Sequence, residues 1–86
     1  DGTGGAMPIA ANKIPGIRAV CAYNELTGKF ASEHDDANIL CLGARMVGDL
    51  ECQEIVRVWL ETRYAGGRHQ RRLDKVAEIE KKYSNK

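Results

Sequence analysis

At 86 residues and a formal net charge of +1, the chain holds one domain at most and carries no global field that would hold nucleic acid or a membrane surface. Charged residues at 29% and aromatic residues at 6% describe ordinary globular composition and exclude a disordered chain. No apolar run is long enough to span a bilayer, and the first residues form no secretory signal pattern.

Residues 1–6 read Asp-Gly-Thr-Gly-Gly-Ala, a glycine-rich loop leading towards a short helix over Ile9–Lys13, with Pro8 suited to its first turn. Small residues let backbone N–H groups approach a ligand oxygen, so this loop can form an anion hole with Thr3 as an added donor. The pattern is neither G-x-G-x-x-G nor a Walker loop, and a flexible terminus with Thr3 capping a turn fits the residues equally. Pro15-Gly16 marks a turn. Ile17–Tyr23 is a strand candidate. Asn24–His34 reads as a helix despite Gly28, with Leu26, Phe30 and Ala31 as its inner face. Asn38–Leu42 is continuously apolar, the kind of strand buried on both faces.

Asp49 starts a long helix with Asp49 and Glu51 in its first turn. Its core stripe is Cys52, Ile55, Val56, Trp59 and Leu60. Gly66-Gly67 ends that unit, and a last helix runs to about Tyr83 through Leu73, Val76, Ile79 and Tyr83. The tail Ser84–Lys86 is expected to fray.

Strands alternating with helices imply parallel pairing and an α/β fold. Two strands are too few, because a two-stranded parallel sheet leaves both edges open. Glycine loops of this kind also usually follow a strand. The chain is therefore expected to be the C-terminal part of a larger α/β unit, or to complete its sheet with another chain, and not to exist as an isolated rigid monomer. Cys21, Cys41 and Cys52 match no zinc spacing and fall at core-like positions. An odd count at such positions points to reduced, structural thiols in a cytoplasmic protein.

Three further places carry chemistry. Gly66-Gly67 delivers Arg68, Arg71 and Arg72 to the start of the last helix, and Arg68 and Arg72, four apart, share a face. This pair makes a two-pronged clamp for phosphate or carboxylate, or else a solvated basic turn. His34 ends a helix among Glu33, Asp35 and Asp36, either as a catalytic imidazole or as a helix cap. Arg45, in Gly43-Ala44-Arg45, follows the buried strand at the end where α/β folds bind ligands, and can meet an anion or pair with Asp49.

Taken together, these residues resemble the sugar-phosphate isomerase family of ribose-5-phosphate isomerase type B and galactose-6-phosphate isomerase. The resemblance rests on Gly2-Thr3-Gly4, on Ile9-Ala10-Ala11-Asn12-Lys13 with Pro15-Gly16-Ile17-Arg18-Ala19, and on His34 and Asn38. It continues through Leu42-Gly43-Ala44-Arg45 with Val47-Gly48, then Tyr64 followed by Gly66-Gly67-Arg68-His69-Gln70 and Arg72. The type B ribose enzyme fits better, through Ala10–Lys13 and Leu42–Arg45. The resemblance implies a partial Rossmann-like three-layer α/β unit, with parallel strands flanked by helices and a long C-terminal helix over 66–86 that packs on a partner subunit. It implies isomerisation of a sugar phosphate with no metal and no organic cofactor, in dimers or higher oligomers whose sites draw on both chains.

By the same resemblance His34 opens the sugar ring, and Thr3 with the N–H groups of Gly2 and Gly4 stabilises the enediolate. Arg68 and Arg72, with Arg45, hold the phosphate. Asp1 stands where many family members carry a cysteine base, and Met7 where others carry a glutamate, so Asp1 is the candidate base, expected to be mobile. Ala6, Pro8 and Asp35 also depart from the family pattern, and the upstream strand with its Asp-His pair has no counterpart here. These departures leave a second reading, a non-catalytic relative acting as a binding or assembly module. Nucleic-acid binding by the arginines is disfavoured, since charge is near neutral and Tyr23, Tyr64 and Tyr83 form no stacking platform.

Overall fold

The computed structural model describes residues 1–84. The element order is α1 (Ala6–Ala11), β1 (Ala19–Cys21), α2 (Glu25–Glu33), β2 (Ile39–Cys41), α3 (Asp49–Glu61) and α4 (Arg68–Tyr83). This is an α/β fold in which a parallel sheet is flanked by helices, a partial Rossmann-like unit. The first helix begins three residues earlier than its sequence pattern suggests, with Pro8 inside its first turn. Both strands are shorter than their apolar runs. Of the expected frayed tail, Asn85 and Lys86 lie outside the described residues.

The sheet has two strands, β1 and β2, paired in parallel with Ala19 opposite Ile39, Val20 opposite Leu40 and Cys21 opposite Cys41. Two asparagine amides finish its starting end. Asn12 accepts from the Ala19 N–H at 2.8 Å and donates to the Ala19 carbonyl at 2.9 Å, as a neighbouring strand would. Asn38 accepts from the Arg18 N–H at 2.7 Å and donates to the Gly16 carbonyl at 2.9 Å.

Asn24 starts α2 with a reciprocal cap. Its side chain accepts from the Thr27 N–H at 2.8 Å, and Thr27 Oγ1 accepts from the Asn24 N–H at 3.1 Å. The helix then packs on α3 through small residues. Gly28, Ala31 and Ser32 are buried, and Ser32 Oγ donates to the Trp59 carbonyl at 2.7 Å. A Cβ on Gly28 would lie 2.9 Å from Ile55 Cγ2 and 3.1 Å from the Ile55 carbonyl oxygen. The glycine is therefore the contact that lets the two helices approach.

The core is Ala22, Val47 and Ile55, with Leu40, Leu42 and Cys52 packed against it. Two residues of the expected apolar helix faces are exposed instead. Leu26 is 56% exposed because the buried side of α2 is set by Gly28 and Ser32, and Leu26 lies on the other side. Leu60 is 70% exposed because it stands about 140° around the helix from Ile55 at 3.6 residues per turn. All three cysteines are free thiols. Cys41 is buried, whereas Cys21 and Cys52 are half-buried.

Candidate active site

Two clusters of candidate site residues form, one at each end of the strands. At the C-terminal end, residues 1–5 lie against the segment that leaves β2. The Ala44 N–H donates to the Asp1 carbonyl at 2.7 Å, and the Arg45 N–H donates to the Gly2 carbonyl at 2.9 Å. Gly4 is buried at φ +90°, and a Cβ there would sit 2.6 Å from Cys21 Sγ. A Cβ on Gly43 would meet the Thr3 carbonyl group at 2.7 Å. The loop thus closes down on the strand end by glycine contact, which leaves Thr3 exposed at its crest. The Arg45 side chain lies over Gly2, its Nε 3.8 Å from where a Gly2 Cβ would be. Among the described residues Arg45 makes no ion pair with Asp49, so the structural alternative for this arginine is not the one realised.

Asp1 is held rather than mobile. Its carbonyl is fixed by Ala44, and its Oδ2 accepts from the Met7 N–H at 3.0 Å, in the first turn of α1. Below the loop, burial pushes the Cys41 thiol up, and the nearby Cys21 thiol adds to this. The Tyr23 hydroxyl is raised as well, chiefly by its interaction with Cys21.

At the other end of the strands, His34 caps the C-terminus of α2, its N–H donating to the Phe30 carbonyl at 2.9 Å. Its ring is layered between two others. Phe30 lies 4.2 Å away at an interplanar angle of 12°, and His69 lies 4.2 Å away on the opposite side at 14°. His34 Nε2 is 3.4 Å from Glu33 Oε1. His69 is 9% exposed. Burial pushes its value below that of an ordinary histidine, and His34, Arg68 and Arg72 add to the depression, against an opposing effect of Glu33.

Arg68 and Arg72 project from the first turns of α4 and are exposed. The helix-start amides are partly used, since the N–H groups of His69 and Gln70 donate to the Gly66 and Gly67 carbonyls, each at 3.1 Å. An anion here would therefore meet guanidinium groups more than free backbone N–H. Around this cluster the Ala65 N–H donates to the Glu33 carbonyl at 3.0 Å, Arg18 pairs with Asp36 at 3.5 Å, and Tyr64 donates to Gln70 Oε1 at 3.0 Å.

The topology decides how these clusters relate. In a parallel βαβ unit the connecting helix runs back, so its C-terminus lies where the next strand begins. His34 therefore stands at the start of β2, and Arg45 beyond its end. His34 thus stands away from the usual ligand-binding edge of an α/β sheet, which is the other edge. Asn38 to Leu42 alone spans about 13 Å at 3.3 Å per residue. Within one chain, Asp1, Gly2, Thr3, Gly4 and Arg45 gather at one end, and His34, Arg68 and Arg72 at the other.

In the sequence, nothing local marks His69 as a candidate site residue. Its place in an arginine-rich run hid it, and only the meeting of α2 with α4 brings it onto His34.

The family profile described as Ribose/Galactose Isomerase matches residues 1–76. The chain belongs to the ribose/galactose isomerase family. Among family members, ribose-5-phosphate isomerase B of Escherichia coli is 42% identical over 94% of this chain and 54% of its own length. The structure of ribose-5-phosphate isomerase B from Clostridium thermocellum superposes with a TM-score of 0.94 at 52% identity, covering 96% of this chain and 56% of that one. That of ribose-5-phosphate isomerase B from Mycoplasma genitalium, with bound ribulose-5-phosphate, gives 0.92 at 46% identity, covering 94% and 53%. The chain thus spans about half the length of the family members it matches.

Proposed function

We propose that the protein is a type B ribose-5-phosphate isomerase, interconverting ribose 5-phosphate and ribulose 5-phosphate through an enediolate. The observation that carries this reading is the close match to the Mycoplasma genitalium enzyme that binds ribulose-5-phosphate, over nearly the whole of this chain. The reaction moves a proton between adjacent carbons. It requires a base beside those carbons, donors where oxyanion charge develops, and an anchor at the non-reacting end.

The loop end supplies the first two. Thr3 and the N–H groups of Gly2 and Gly4 face the developing oxyanion. Asp1 takes the proton with the carboxylate oxygen that Met7 leaves open. His34 opens the sugar ring, and Arg68 and Arg72 hold the phosphate. Arg45 stands with the loop, so it completes the anchor only when loop and arginines meet on one substrate.

They meet between two copies. Because the two clusters lie at opposite ends of the strands, one substrate reaches both when the loop end of one copy faces the His34 end of another. An oligomer with shared sites follows, with α4 as the element that crosses to the partner.

One observation favours the second reading, a non-catalytic binding or assembly module. The Asp1 carboxylate is already engaged as a cap on α1, where a base should be free. Assay with ribose 5-phosphate separates the two. The chain would be tested alone and joined to the portion of the Mycoplasma genitalium enzyme that it does not span. Ribulose 5-phosphate formation, abolished by Thr3→Ala, is the expected result. No turnover and no phosphate-dependent thermal shift would overturn the enzyme reading.

A further inference from the structure

We infer that His69 is the positioning residue of ring opening: it clamps the His34 imidazole flat against Phe30 and ties it to the helical turn that carries Arg68 and Arg72. The inference rests on the isomerase reading, since only there does His34 meet a sugar ring. The warrant is geometric. Three rings stand in a stack, each 4.2 Å from the next and nearly parallel, with His34 in the middle.

A ring held on both faces cannot flip out of its plane, so its two nitrogens stay on a fixed edge. Glu33 Oε1 lies 3.4 Å from Nε2 on that edge. Without His69, His34 would be an exposed terminal residue of α2 with one face open to water. The other members of the stack come from α2 itself; His69 alone comes from the phosphate-clamp helix.

His69 is suited to this role by its own state. Two imidazolium rings stacked at this distance would repel, so one member must stay neutral for the stack to hold. The groups facing His69 are His34 and Glu33 from α2 and Arg68 and Arg72 from α4. Burial and three of these four disfavour its charge. After burial and His34, the arginines that hold the phosphate also disfavour a charge on His69.

The test uses the form of the protein that is active in the ribose 5-phosphate assay, with two reactions compared at saturating substrate. Ring opening is needed for cyclic ribose 5-phosphate. It is not needed for exchange of solvent deuterium into ribulose 5-phosphate, which has no hydroxyl free at carbon 5 to close a ring and requires only the enediolate step. His69→Ala is expected to lower kcat for ribose 5-phosphate by about tenfold or more, within the roughly 10²-fold range of misplaced groups. Deuterium exchange should stay within about twofold, a positioning effect on His34 alone.

His69→Phe restores a flat uncharged ring and should recover most of the lost kcat. Equal loss of both reactions in His69→Ala would mark a merely structural residue and overturn the inference. So would a His69→Phe protein as slow as His69→Ala. A wild-type protein with neither turnover nor exchange would instead overturn the isomerase reading beneath it.

Discussion

Gly28 shows how much one missing side chain decides. In an exposed helix, replacing glycine by alanine adds about 0.5–1 kcal/mol of stability. Here the added methyl would sit 2.9 Å from Ile55 Cγ2 and 3.1 Å from the Ile55 carbonyl oxygen, and a carbonyl in mid-helix cannot move aside cheaply. Overpacking of this kind costs about 1–3 kcal/mol, so the steric effect wins. Gly28→Ala is therefore expected to destabilise the fold by about 1 kcal/mol, the difference between the midpoints of those two effects. A shift of the urea midpoint to lower concentration with an unchanged slope would show it. Asn12 makes the opposite case, a polar side chain standing in for a strand. Asn12→Ala leaves the N–H and carbonyl of Ala19 without partners, and the same measurement should read a loss of about 1–3 kcal/mol. Neither role is visible in sequence, where Gly28 reads as a flaw in a helical pattern and Asn12 as the polar end of one.

Between elements, the junction of α2 with α4 is the most sensitive to solution conditions, because two histidines form it. His69 in the folded chain titrates below its ordinary value, while in the unfolded chain it titrates near 6.5. Between those two values the unfolded chain holds a proton that the folded chain lacks, so stability rises with pH there. Above about 6.5 this penalty is absent, and it grows as pH falls towards the depressed value. The melting temperature should therefore drop between pH 7.5 and pH 5.5, and drop less in His69→Phe. An identical slope in the two proteins would place the acid sensitivity elsewhere. The order of helices and strands was legible because apolar spacing and the Asn24 and Asp49 starts fix it locally. The outward turn of Leu26 and Leu60 was not, since periodicity gives a helix its apolar face but not the side that a neighbour covers. The His34–His69 contact was illegible for a stronger reason. The two residues lie on separate elements, and no local pattern links them.

At the scale of the whole molecule, the distribution of the site is the main consequence of the fold. The sequence lists loop, histidine and arginines in one line, as if they surrounded one substrate. Parallel topology instead sends Arg45 to the far end of β2 from His34, and it does so because α2 must run back before β2 can begin. If the proposed site is shared, a protein lacking only the loop donor and a protein lacking only the phosphate anchor are both inactive, but for complementary reasons. Thr3→Ala spoils the loop end and Arg72→Ala the arginine end. In a two-fold symmetric mixed dimer, one site inherits both changes and the other inherits neither. Unfolding and refolding the two inactive proteins together, in the form active in the ribose 5-phosphate assay, should restore about a quarter of the wild-type sites, as random pairing into such dimers gives. Arg72 is exposed and makes no ion pair among the described residues, so Arg72→Ala should keep stability within about 0.5 kcal/mol and leave assembly intact. Recovery in the mixture, with none in either protein refolded alone, requires that the loop of one copy and the arginines of another act on the same sugar. Absence of recovery, with mixed dimers verified by differential tagging, would confine each site to a single chain.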